Sequence, residues 1–224
     1  MAENLMCEMR KGGIALLTLN RPQAKNALSI ALRNEVTSRL AELADDEALR
    51  VVVVTGAGDT FSAGFDLKEF QRAGDPAFSD QLWASSDRFH RAVLEFPLPI
   101  VAAVNGPALA GGFDLAAMCD LRIASTNATF SHPEVAFGEV AYGLLHDLLG
   151  GALARELCLL GRPVDAAEAL LLNLVSAVAE PEVLLDEALA LAGRLAAFPA
   201  RTLRSTRTKI RTRSQNLIRG TLDL

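Results

Sequence analysis

The chain has 224 residues, half of them hydrophobic and 5% of them aromatic, which permits one large domain or two small ones and argues against a base-stacking platform. A net charge of −5 and a pI of about 5.3 argue against general affinity for nucleic acid or an anionic membrane surface. No stretch reaches the roughly 20 apolar residues of a membrane span.

The N-terminus carries acidic residues and no long apolar run, so it does not read as a signal peptide. Residues Ile14 to Leu19 read as a strand after the turn Gly12-Gly13. From Leu28 onward Leu32, Val36, Leu40 and Leu43 share one helical face, with Ser29 as the N-cap candidate. The β-branched run Val51 to Thr55 predicts a strand buried on both faces, ending at Gly56-Ala57-Gly58-Asp59. A turn at Ser62 to Asp66 leads into a short helix near Leu67 to Phe70, and the polar residues Arg72 to Asp80 read as a surface loop. A helix follows from about Trp83 to Phe96, stopped by Pro97 and Pro99.

Ile100 to Val104 predicts a second buried strand, and Asn105-Gly106-Pro107 turns the chain toward a helix at Gly111 to Met118. Two short strands, Leu121 to Ser125 and Thr129 to Ser131, come next. Beyond Gly143 the sequence reads as helices over Leu148 to Leu160, Ala166 to Leu171, Pro181 to Ala197 and from Pro199 onward, interrupted by one strand at Leu174 to Ala179. The fold class is therefore α/β, with a core over 1–143 and a helical region over 144–224. No internal repeat is legible.

Two strands end in glycine-containing turns that lead into helices, at Gly56 to Asp66 and at Asn105 to Asp114. Ligands of open α/β sheets sit beyond such strand ends. Free N–H groups there can hold an anion such as a thioester enolate. Asp114 reads either as an acid complementing the dipole of its helix or as a functional carboxylate. Glu134, after Pro133 at a strand end, reads either as a surface acid or as its partner in acid–base work.

Other chemistries fit less well. Gly56-Ala57-Gly58 lacks the third glycine of a dinucleotide fingerprint. There is no GxSxG elbow. His90, His132 and His146 show no metal-ligand spacing, and no metal is expected. Cys7, Cys119 and Cys158 form no CxxC pair and read as reduced thiols, which predicts a cytoplasmic location. The basic C-terminal set Arg201, Arg204, Arg207, Lys209, Arg211, Arg213 and Arg219 reads as a solvated helix face or a phosphate site.

Five segments in order resemble the crotonase (enoyl-CoA hydratase/isomerase) family. The first is Asn20-Arg21-Pro22-Gln23-Ala24-Lys25-Asn26-Ala27-Leu28. The second runs from Val51 to Gly58 and through Phe61-Ser62-Ala63-Gly64-Phe65-Asp66-Leu67-Lys68. The third is Asn105-Gly106-Pro107-Ala108-Leu109-Ala110-Gly111-Gly112-Phe113-Asp114-Leu115. Cys119 to Ala124 and Phe130 to Glu134 continue in register. The resemblance implies a ββα superhelix with a C-terminal helical region, assembled as a homotrimer or hexamer. It implies an acyl-CoA thioester as substrate, no separate cofactor, and no nucleic-acid or membrane partner.

By position in these motifs, Phe65 and Gly111 would supply the two N–H groups of an oxyanion hole. Glu134 and Asp114 would be the catalytic carboxylates. Lys25, Ala63, Asp66, Leu67 and Lys68 would bind CoA. The implied activity is 2-enoyl-CoA hydration. The alternatives are Δ3,Δ2-enoyl-CoA isomerisation by Glu134 alone and a non-catalytic acyl-CoA binder. The sequence departs from the family pattern in three places. Asp114 replaces a glutamate, withdrawing its carboxylate by about 1.5 Å. Residues 138–147 replace a longer glycine-rich stretch and offer Tyr142 and His146 to the acyl pocket. The sequence stops at Leu224, before the family's final helix.

Overall fold

The computed structural model describes residues 3–214. Strands β1 (Leu5–Arg10) and β2 (Ile14–Leu19) form an antiparallel hairpin, so the N-terminal segment supplies an edge strand that its sequence did not announce. Helix α1 (Ile30–Ala44) starts where Ser29 accepts a hydrogen bond from the Leu32 N–H, as predicted. Strand β3 (Val51–Gly56) and helix α2 (Leu67–Phe70) match their predicted positions.

Helix α3 (Pro76–Leu94) corrects the expected loop at Arg72 to Asp80. Asp75 caps it by accepting from the Ala77 N–H, and Pro76 occupies the first turn, where its missing donor costs nothing. The polar residues read as loop are thus a helix start and its solvent face.

Strand β4 (Ile100–Val104), the two-residue strand β5 (Ala108–Leu109), helix α4 (Gly111–Met118), β6 (Leu121–Ser125) and β7 (Thr129–Ser131) follow in order. A 3₁₀ turn, Pro133–Ala136, carries the chain to α5 (Gly143–Leu149) and α6 (Gly151–Leu160). These two replace the single helix expected there, broken at Gly150, whose φ is +77°. Strand β8 (Val164–Asp165), α7 (Ala166–Leu171), β9 (Ala177–Ala179), α8 (Leu184–Ala196) and α9 (Ala200–Ser214) complete the described chain. Among the described residues no helix is long and apolar enough to cross a membrane.

The main sheet has the order β1-β2-β3-β4-β6-β9, parallel except for the β1–β2 hairpin. Its alternation explains the all-apolar β3. Val52 and Val54 face a core shared with Leu32, Val36 and Leu40 of α1, while Val51 and Val53 face Leu184, Ala188 and Ala192 of α8. A small second sheet, β5-β7-β8, lies beyond the ends of the main strands and carries the segments of chemical interest.

Helix α9 docks through charge as well as Leu203. Arg207 pairs with Asp120 at 2.9 Å, and Asp120 also accepts from the Ile100 N–H. Arg204 and Arg211 reach the carbonyls of Ala44 and Glu95. Three of the seven basic residues, Arg204, Arg207 and Arg211, therefore fasten a helix. The side chain of Arg213 and all of Arg219 lie outside the described residues.

Candidate active site

Four chain segments are laced together by backbone hydrogen bonds. The Ala63 N–H donates to Lys25 O and the Leu28 N–H to Gly64 O, tying the opening motif to the first glycine turn. Leu109 N–H donates to Ser62 O, and Ala110 N–H to Ser131 O, tying that turn to the second and the second to β7. Asn26 serves this lacing: its buried amide donates to the carbonyls of Ala57 and Thr60 and accepts from the Arg21 N–H. Lys25 and Asn26 both adopt positive φ, and Lys25 is exposed.

The two glycine turns touch. Gly64 has φ +83°, and a Cβ there would stand 2.8 Å from both Ala110 Cβ and Leu109 O. Ala110 itself has φ +52° and ψ −129°, a conformation that L-residues avoid at a cost of about 1–3 kcal/mol. Gly64 and Ala110 each immediately precede one of the proposed oxyanion donors, Phe65 and Gly111. Among the described residues neither the Phe65 nor the Gly111 N–H donates to a protein acceptor. A Cβ on Gly111 would meet the Phe65 ring at 3.1 Å, so these two positions are in contact.

Phe65 is clamped from behind. The buried Arg33 guanidinium stacks 4.4 Å from its ring centre and donates to the Ser85 hydroxyl and Leu82 carbonyl. Burial pushes the Arg33 group down to about 10. Phe70 stacks at 5.8 Å and His90 lies at 6.2 Å, held neutral by burial that pushes it down to about 4. Asp66, Leu67 and Lys68 continue from Phe65 on α2. Asp66 caps this helix and pairs with Arg21 at 3.0 Å, whereas Leu67 and Lys68 are exposed.

Asp114 and Glu134 come together across a histidine that sequence spacing did not single out. Asp114 is buried on the first turn of α4, and Glu134 sits on the 3₁₀ turn after β7. Between them lies His132, 1% exposed and stacked on Phe113 at 4.9 Å. Its Nδ1 is 2.8 Å from Glu134 Oε1, and its Nε2 is 3.8 Å from Asp114 Oδ1. The only sequence signal was local: a single residue, Pro133, separates His132 from Glu134. The Asp114 neighbour arrives through the fold alone.

Burial pushes the Asp114 carboxyl up to about 7, with the Glu134 charge adding to the rise and His132 opposing it. Burial opposes the imidazolium of His132, but the Glu134 hydrogen bond and the charges of Asp114 and Glu134 outweigh it and raise the group. The Cys158 thiol on α6 feels both acids and, mainly through burial, is pushed up to about 11. The three side chains bring ligand atoms within 4.8 Å of one another. The imidazole, however, turns one nitrogen to each carboxylate, so it bridges them rather than converging with both on one ion.

Of the remaining pocket candidates, Tyr142 is half-buried against the core and its ring lies 5.5 Å from His146. His146 is exposed beside Asp147.

The sequence profile described as enoyl-CoA hydratase/isomerase matches residues 9–221. A probable enoyl-CoA hydratase of Mycobacterium bovis is 38% identical over 213 residues, covering 93% of this chain and 81% of that protein. Among solved structures, an enoyl-CoA hydratase/isomerase from Xanthobacter autotrophicus Py2 superposes with a TM-score of 0.89 at 31% identity, over 96% of this chain and 81% of that one. A monofunctional enoyl-CoA isomerase from Mycobacterium smegmatis superposes at 0.80 with 30% identity, over 96% and 95% of the two chains. With the fold, the ordered motifs and the paired carboxylates in agreement, this chain belongs to the enoyl-CoA hydratase/isomerase family.

Proposed function

We propose that this protein adds water to 2-enoyl-CoA thioesters. The observation that carries the reading is the meeting of Asp114 and Glu134 in one buried cluster. In this reading the Glu134 carboxylate takes a proton from water as its oxygen attacks Cβ. The thioester oxygen becomes an enolate, held by the N–H groups of Phe65 and Gly111. Glu134 then delivers its proton to Cα, so that one water is added and the carboxylate is restored. Asp114, whose carboxyl burial raises to about 7, helps hold the water by hydrogen bonding.

The exposed Lys25 and the segment Ala63, Asp66, Leu67 and Lys68 are the proposed CoA contacts. They flank Phe65: Ala63 is tied to Lys25 by a backbone hydrogen bond, and Asp66, Leu67 and Lys68 follow directly. Asp66 contributes mainly by fixing α2 and Arg21. The expected homotrimer or hexamer and the cytoplasmic location belong to the same proposal. Leu159, Leu160 and Leu171 support the former as exposed apolar surface on α6 and α7. The free thiols of Cys7, Cys119 and Cys158 support the latter.

Crotonyl-CoA and longer enoyl-CoAs, followed by loss of the conjugated thioester absorbance, test the activity. Turnover is expected, and full activity in Glu134→Gln would overturn the assignment. The second reading, Δ3,Δ2-isomerisation, draws on the raised Asp114. A protonated Asp114 cannot act as a base, leaving Glu134 to move a proton between carbons by itself. Binding of acyl-CoA without turnover of any enoyl-CoA would favour the non-catalytic reading.

A further inference from the structure

His132 is a buried ionisable group, between the two proposed catalytic carboxylates, that neither reading uses. It is almost wholly withdrawn from solvent, and its Nε2 has no hydrogen-bond partner. Glu134 Oε2 is likewise buried and unpartnered, although its Oε1 is held. An unpartnered buried nitrogen is costly unless the site uses it.

The chemistry of the cluster restricts where protons can lie. A carboxylate at Glu134 accepts, so Nδ1 must carry a hydrogen. Nε2 then faces Asp114 across a 3.8 Å gap. A bare Nε2 opposite a carboxylate would set lone pair against charge. One proton resolves this, either on Nε2 beside an ionised Asp114 or on Asp114 beside a bare Nε2. Both arrangements carry a net charge of −1, and both leave Glu134 ionised. The groups acting on the imidazole are Asp114 from α4 and Glu134 from its own turn. The Cys158 thiol of α6 faces the same two acids. Phe113 covers one ring face.

We propose that His132 is a positioning residue that binds Asp114 and Glu134 into a single proton-sharing unit, with Glu134 kept as the ionised base and the shared proton held between His132 and Asp114. The inference rests on the acid–base roles given above and assigns the protons within them. It also accounts for a short acid at position 114. Asp114 need only face the imidazole, because orientation of the base falls to the Nδ1–Glu134 bond.

The test has two arms. In the first, ¹⁵N-histidine NMR follows the imidazoles of the wild type, with His132→Gln identifying the His132 signal. His90 is held neutral by burial. The His132 midpoint should lie above that of a free histidine and fall in both Asp114→Asn and Glu134→Gln. A midpoint that ignores Asp114→Asn overturns the proposal. In the second arm, His132→Asn keeps a donor near the Nδ1 position but cannot reach Asp114. It should lower kcat by about ten- to a hundredfold with KM little changed, and shift the alkaline limb of the pH profile. Wild-type kcat and profile in that variant also overturn the proposal. The NMR arm needs no turnover. Coupled titration in a protein that hydrates no enoyl-CoA keeps the unit and removes the hydratase reading. Normal hydration with an uncoupled His132 removes the unit alone.

Discussion

Replacing Glu134 by Gln keeps the size of the side chain and removes the charge that a base requires. In the proposed mechanism this should lower kcat by about 10²- to 10⁴-fold with little change in KM, read by steady-state hydration kinetics. Asp114→Asn separates the two chemistries. It should slow hydration, which uses Asp114 to hold water, and spare isomerisation, which does not. The same substitution has a consequence for stability. The carboxyl of Asp114 rises from 3.8 to about 7 on folding, and His132 is also raised, so the folded chain retains protons that the unfolded chain releases. Folding therefore loses stability as pH climbs from about 4 through about 7. Thermal melts should show a falling Tm across that window, and Asp114→Asn should flatten the fall. At this scale both carboxylates were legible as candidates, because each sits where a strand end or helix start presents it. Their union was not legible, since the group joining them lies just after β7 and one of its partners on α4.

The elements of the site are rigid because they are interlocked. Gly64→Ala would drive a methyl group into Ala110 and Leu109 O while holding φ +83°. It should destabilise the fold by about 1–3 kcal/mol, and circular dichroism melts read that loss. It should also reduce kcat, because Phe65 and Gly111 shift with the turn. The elements whose signals are local were readable in advance: the Ser29 cap, the valine run of β3, and the glycine start of α4. The misreadings have physical causes. At Arg72 to Asp80 polar composition masked an Asp75-Pro76 helix start. At β1 an exposed edge strand buries only Leu5, so the short alternation Leu5-Cys7-Met9 against Glu8 and Arg10 is a weak signal. The two-residue strands β5 and β8 owe their existence to pairing with β7 rather than to any propensity.

Across the whole molecule, the sheet is closed on one face by α1, α3 and α4 and on the other by α8, and α9 is pinned by Arg207 to Asp120. Arg207→Ala would strand Asp120 in a mostly buried site and should cost about 3–5 kcal/mol, measured by denaturant unfolding. Charge at the C-terminus is thus partly an anchor, which composition could not distinguish from a phosphate-binding surface.

The position of α8 in the chain carries a further consequence for synthesis. Ile14, Leu16, Val51, Val53 and Val101 all belong to the face that α8 covers, yet α8 begins only at Leu184. A ribosome emitting this chain from its N-terminus would expose that apolar face long before its cover emerged. Nascent chains stalled before α8 should therefore be held by chaperones or aggregate. The order of translation, rather than the final stability, would set the yield of soluble protein.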